Sequence, residues 1–151
     1  MREQVRDRGR LEHILQAINK VFEFTKDVKR EDFKKDSILF FAIVKNIEII
    51  GEASYMLSLD FKDAHPDTNW KVIVAMRHFL VHGYYQVDPE EVWNVIEQDL
   101  QPLKEQVENI SLKCNKKSKA RMSLRNQTSG FSLLLAIFYF EKRGYIGATL
   151  L

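Results

Sequence analysis

The sequence predicts an all-α protein, a four- to five-helix up-and-down bundle. Three observations lead there. Apolar residues recur at three- and four-residue steps over long proline-free stretches, capping residues stand at the ends of those stretches, and residues 1–112 contain no alternating strand pattern. The 151 residues are 45% hydrophobic and 29% charged, a balance that fits one packed core and argues against both disorder and a membrane-embedded chain. The single Cys114 excludes an internal disulfide and a clustered-thiolate metal site, as expected in a reducing compartment. The opening "MREQVRDRGRLEHIL" lacks the apolar stretch and small-residue cleavage site of a secretory signal, so a cytoplasmic location is expected.

The first helix is expected from Val5 to Phe24, where Val5, Leu11, Ile14, Leu15, Ile18, Val21 and Phe22 fall on one face. The polar hinge "TKDVKREDFKKD" follows. The second helix, "SILFFAIVKNIEIIGEASYMLS", has Asp36 or Ser37 to cap its first turn and is apolar around much of its circumference, which predicts a central position. Gly51 inside it is either a point of close backbone approach or a tolerated interior glycine. "DFKDAHPDTNW" reads as a loop, and the third helix is expected from Asn69 to His82. Gly83 then stands where a left-handed residue commonly ends a helix. The fourth helix starts with Asp88 as N-cap, Pro89 at the first position and Glu91 in a capping-box position. Pro102 predicts a kink near Asp99 to Gln101, or a break into two helices. Trp70 and Trp93, at the starts of helices three and four, read as core or dimer-interface aromatics, while His13 and His65 read as surface or loop residues.

Charge divides the chain. Residues 113–151 carry eight Lys/Arg and one Asp/Glu, which leaves 15 basic and 20 acidic residues in 1–112. The predicted organisation is therefore a mildly acidic helical domain, 1–112, followed by a tail, 113–151, that is basic and then apolar. Overall pI is no argument for nucleic-acid binding, because the basic excess lies outside the domain. The apolar run "FSLLLAIFYF" has ten residues, too few to span a bilayer as a helix, which takes about 20. The tail reads as an appended helix or strand, a dimer-clasping arm, a basic RNA-contacting arm, or an artefactual extension of the reading frame.

The chemistry-bearing residues crowd into "MRHFLVHGYY". Arg77 and His82 are separated by about 140° around an ideal helix, yet a residue at the helix end can swing over it and share a site with one in the last turn. Histidine can take or give a proton near neutral pH, and arginine offers a fixed fork of donors to phosphate oxygens. Together they suit phosphodiester cleavage through a ribose 2′-hydroxyl. One histidine cannot easily serve both the attacking and the leaving oxygen, so two copies of the turn, and hence a homodimer, are expected. The same residues also suit helix C-capping, and spacing alone leaves that alternative open. His78 and His82, four apart, share one face in a spacing that can carry a metal pair, but no third ligand motif lies near, and neither metal nor cofactor is expected for the reaction. Glu48 and Glu52 either orient Arg77 or make surface contacts.

"RHFLVHGYY" followed by "VDPEEVWNVIEQDLQPLKEQVE", with "IVKNIEIIGEAS" upstream, resembles the signature region of the HepT-like family of HEPN-domain proteins over roughly Arg8 to Ile110. The resemblance implies a homodimeric, metal-independent endoribonuclease, the toxin of a toxin–antitoxin pair whose partner is a minimal nucleotidyltransferase antitoxin. It assigns Arg77 and His82 to catalysis and His78 to support. Relatives often carry Asn at the position of His78, where this chain has a different polar residue. The resemblance further implies that the antitoxin transfers AMP to Tyr84, placing negative charge and bulk in a cleft made for RNA phosphate; Tyr85 reads as packing. The alternative is a non-catalytic helical module that binds a nucleotide or a nucleotidyltransferase partner through the same surface.

Overall fold

The computed structural model describes residues 2–116 and residue 119, and every described element is helical. The chain divides into two compact units, Met1–Leu112 and Lys113–Leu151. In the second, residues 113–116 are helical, and the readings of the basic stretch and the apolar run concern residues largely outside the described ones.

The first unit is built from α1 (Arg2–Thr25), α2 (Arg30–Phe33), α3 (Ser37–Tyr55), α4 (Leu59–Asp63), α5 (Trp70–His82), a 3₁₀ turn (Tyr84–Gln86), α6 (Pro89–Gln98) and α7 (residues 100–112). Leu11, Ile14, Ile18 and Val21 of α1 are fully buried at the spacing read from the sequence, and α3 lies between α1 and α5. Asp36 is the residue that caps α3, accepting from the Leu39 amide at 2.9 Å. The centre of the bundle is therefore α3, but not all of it is enclosed. Its face running through Ile38, Phe41, Lys45, Glu48, Glu52 and Tyr55 points outward, with Ile38 83% and Phe41 66% exposed. Those steps of three and four residues form one continuous stripe.

Two segments expected as irregular contain short helices. The polar hinge holds α2, whose Phe33 is fully buried against Trp93, with centroids 5.1 Å apart, and near Phe40 at 6.0 Å. Burial of that one ring stabilises a segment too charged and too short to announce itself. The expected loop after α3 holds α4, capped by Ser58. The buried Asp7 of α1 accepts from both the Ser58 amide (2.9 Å) and its hydroxyl (2.7 Å), while the Ser58 oxygen accepts from the Phe61 amide. Burial without those partners would cost the carboxylate dearly, so this contact ties the start of α1 to the α3–α4 corner.

Farther on, Asn69 caps α5 through the Val72 amide. Trp70 is core, its indole N–H donating to the His65 carbonyl at 3.0 Å. Trp93 is buried too and donates to Glu97 at 2.7 Å. His13 is exposed and His65 lies in a loop against the Phe61 ring. Asp88 caps α6 by accepting from the Glu90 amide at 2.8 Å. Asp99 interrupts the helical run before Pro102 and separates α6 from α7, because the proline ring cannot coexist with a straight helix through the preceding turn.

Candidate active site

The site forms where α5 ends. Arg77 sits in its last turns because α3 has no side chain at Gly51. A Cβ built there would stand 2.2 Å from the Arg77 Cβ and 3.0 Å from its Cγ. The glycine is thus a point of close approach, and what approaches is the stem of the candidate phosphate clamp. The next residue holds the head, with Glu52 Oε2 2.9 Å from Arg77 Nη2. Glu48, one turn earlier, pairs with Lys45 at 2.9 Å instead, so only one of the two candidate carboxylates reaches the arginine. Among the described residues one carboxylate meets a guanidinium that has five N–H donors, which leaves donors for a second anion.

On the outward side of the same helix His78 and His82 are both exposed, their ring centroids 4.4 Å apart at an interplanar angle of 52°. Arg77 and the two histidines therefore share the last turns of α5 while pointing in different directions: the arginine toward α3, the imidazoles to solvent. Phe79 is partly exposed beside them.

Gly83 ends the helix differently from the sequence expectation. Its φ is −103°, not left-handed, and its amide continues the helical pattern by donating to the Phe79 carbonyl at 2.7 Å. Glycine is required there for space. A Cβ would come within 2.9 Å of that carbonyl oxygen and 3.3 Å of the Phe79 ring. The tight 3₁₀ turn follows, closed by the Gln86 amide donating to the Gly83 carbonyl at 2.8 Å. Tyr84 opens the turn by its backbone; its side chain lies outside the described part. Tyr85 is 72% exposed, so it is not the packing residue the sequence suggested.

The downstream end of this turn is held by a polar cluster that sequence reasoning missed. Arg30 of α2 donates to Glu90, Asn94 and Glu97 of α6, and Lys34 pairs with Glu90. Lys34 and then Arg30 hold the Glu90 carboxyl below its ordinary range, and the Trp93 indole followed by Arg30 does the same for Glu97. The partners lie 60 to 67 residues apart in sequence, beyond any local pattern. A cavity of about 300 Å³ opens elsewhere, between α3, the start of α5 and the α6–α7 junction, lined by Ile50, Ile73, Met76, Leu100 and Leu103 among others. Neither Arg77 nor His82 lines it.

Residues 14–110, most of the first unit, match the HepT-like ribonuclease family. A Methanocaldococcus jannaschii protein named as an RNase is 36% identical over 97 residues, covering 64% of this chain and 89% of its own. A Thermococcus cleftensis protein named as a ribonuclease HepT is 39% identical over 100 residues, 66% of this chain and 91% of that one. One from Caldanaerobacter subterraneus subsp. tengcongensis, also named as an RNase, is 40% identical over 100 residues, 66% and 89% of the two chains. No solved structure matches. The matched segment contains the close approach at Gly51, the Arg77–Glu52 pair, both histidines of α5 and the turn that follows them, and the chain belongs to the HepT-like ribonuclease family.

Proposed function

We propose that the chain is a metal-independent endoribonuclease of HEPN type, acting in the cytoplasm as a homodimer and serving as the toxin of a toxin–antitoxin pair. His82 transfers the proton, Arg77 clamps the phosphate and His78 supports His82. The 2′-hydroxyl attacks the adjacent phosphorus as His82 takes its proton, the bond to the 5′-oxygen breaks, and His82 of a second copy protonates the leaving oxygen. Both arginines face the charge that builds on the phosphate.

The observation that carries this reading is the seating of Arg77, stem against Gly51 and head on Glu52, in the last turns of the helix that ends at His82, within a segment matched to a ribonuclease family. The outward stripe of α3 supports the dimer. It exposes Ile38, Phe41 and Tyr55 in line with Glu52, so a second copy laid along it would reach the edge of the arginine site. The domain 1–112 carries the activity without residues 113–151. The antitoxin is a minimal nucleotidyltransferase, and AMP on Tyr84, two residues from His82, silences the site by occupying it with a phosphate and a base.

The test is cleavage of total cellular RNA by the purified chain without added metal, beside His82→Ala. His82 is exposed, so the variant should fold and associate as the wild type does. Cleavage lost only in the variant is the expected result. No cleavage by wild-type protein whose Tyr84 is unmodified by mass would sink the ribonuclease reading in favour of the binding module.

A further inference from the structure

The geometry points to a second use of the histidine pair: we propose that His78 and His82 chelate one divalent transition-metal ion, zinc or its neighbours, and that this ion switches the ribonuclease off. Two histidines four apart on one helix face are a recurrent metal-binding arrangement because both imidazoles project over the same turn. The ring placement goes further than the spacing. A metal held at about 2.1 Å by one nitrogen from each ring puts the ring centroids about 4.6 Å apart where the two bonds meet near a right angle, as in square-planar or octahedral ions, and about 5.3 Å apart at the tetrahedral angle of zinc, so the pair takes copper or nickel as it stands and zinc after a small opening of the rings. The observed separation is 4.4 Å, with the rings inclined at 52° rather than stacked in parallel. Both side chains are exposed, so an ion reaches them without rearrangement of the core, and water completes its coordination.

Among the described residues no group of three or more His, Cys, Asp or Glu side chains is arranged to hold a metal. A two-ligand site of this kind binds reversibly, unlike the closed four-ligand sites that hold structural zinc. Affinity should follow the usual order for nitrogen ligands, copper above zinc and nickel. The consequence for the reaction is direct. An imidazole nitrogen bound to a metal has no lone pair for the 2′-hydroxyl proton, so occupancy of the site removes the base. The binding stands on the spacing, closeness and exposure of the two rings, whereas the inhibition rests on the ribonuclease reading of His82.

Calorimetric titration of the full chain with zinc chloride decides the binding, using wild type, His78→Asn, His82→Asn, His13→Asn and Cys114→Ser. Saturable binding that weakens at least tenfold in His78→Asn and in His82→Asn, but not in the other two, is the expected result. An absence of saturable binding up to millimolar zinc overturns the proposal, as does binding unchanged in His78→Asn or lost in Cys114→Ser. Because both histidines are exposed, the variants should keep the wild-type circular dichroism and melting temperature, which separates a lost ligand from a lost fold. RNA cleavage followed in parallel should fall in step with zinc occupancy and return on addition of EDTA. Cleavage unchanged at full occupancy would overturn the inhibition, and a chain that binds zinc through the pair but cuts no RNA would leave the metal site standing while removing the ribonuclease reading.

Discussion

Arg30 and Arg77 are almost equally exposed, at 33% and 32% of their side chains, and both meet glutamates from a neighbouring helix. Their partners separate them. Arg30 is engaged by two carboxylates and an amide, with Lys34 drawn into the same cluster. Among the described residues Arg77 has a single carboxylate, at 2.9 Å, and its stem is locked by the missing side chain of Gly51. A guanidinium whose fork is used up is a fastener; one that is aimed but only partly used can receive an anion. Exposure alone does not distinguish these roles, and counting partners does.

The comparison breaks most visibly in activity. Arg77→Ala should lower RNA cleavage by about 10²–10³-fold, as removal of one preorganised donor to a developing negative charge does. Arg30→Ala, measured in the same single-turnover assay, should leave the rate constant of folded protein within a few-fold. Equal losses in the two variants would erase the distinction.

Gly51→Ala comes next. Alanine gains about 1 kcal/mol of helix propensity over glycine, but its methyl would sit 2.2 Å from the Arg77 Cβ, a clash that no rotamer change relieves. Overpacking of this kind costs about 1–3 kcal/mol, so the urea midpoint should fall and cleavage with it. An unchanged midpoint would mean that α3 and α5 separate freely at this point.

Acid sharpens the contrast from the other side. The folded-state values of Glu90 and Glu97 lie below their unfolded one, about 4.3, so the stability they contribute is present above that value and disappears as pH falls through the lowered ones. Arg30→Gln should flatten this acid limb in denaturation midpoints taken from pH 6 down to pH 3. An acid limb as steep as that of the wild type would remove the cluster from the account.

The smallest effect is expected for Glu52→Gln. Half-exposed ion pairs contribute about 0–1 kcal/mol, so stability should barely change while KM for RNA rises through a less ordered clamp. A drop in kcat with KM unchanged would instead put Glu52 in the chemical step.

Much of this was legible in the sequence where the cause is local. Asp36, one of two candidate caps, and Asp88 start helices because each offers a side-chain oxygen to the amides of the first turn. Pro102 divides the last helical run because it cannot sit inside one. The crowding of Arg77, His78 and His82 around one helix end was equally plain. What escaped depends on distant neighbours. Gly51 suggested an approach without saying of what, and Glu48 and Glu52 were indistinguishable until α5 chose between them. The helix at Arg30–Phe33 exists because Phe33 meets Trp93, and Arg30 finds its carboxylates 60 and 67 residues away. Gly83 was read as a conformational requirement and proved to be a spatial one, set by the Phe79 carbonyl. Tyr85 looked like packing because it is aromatic, yet the turn directs it outward.

The family likeness begins at residue 14, but the carboxylate that holds the α3–α4 corner belongs to Asp7, seven positions earlier. A shortened chain cut at the point where similarity starts would keep every residue assigned to the chemistry and discard this anchor. The half-buried Ser58 amide and hydroxyl would each lose a partner, at about 0.5–1.5 kcal/mol for each hydrogen bond. The smallest version of the protein that keeps this corner is therefore longer than the segment that matches the family, and it starts ahead of Asp7.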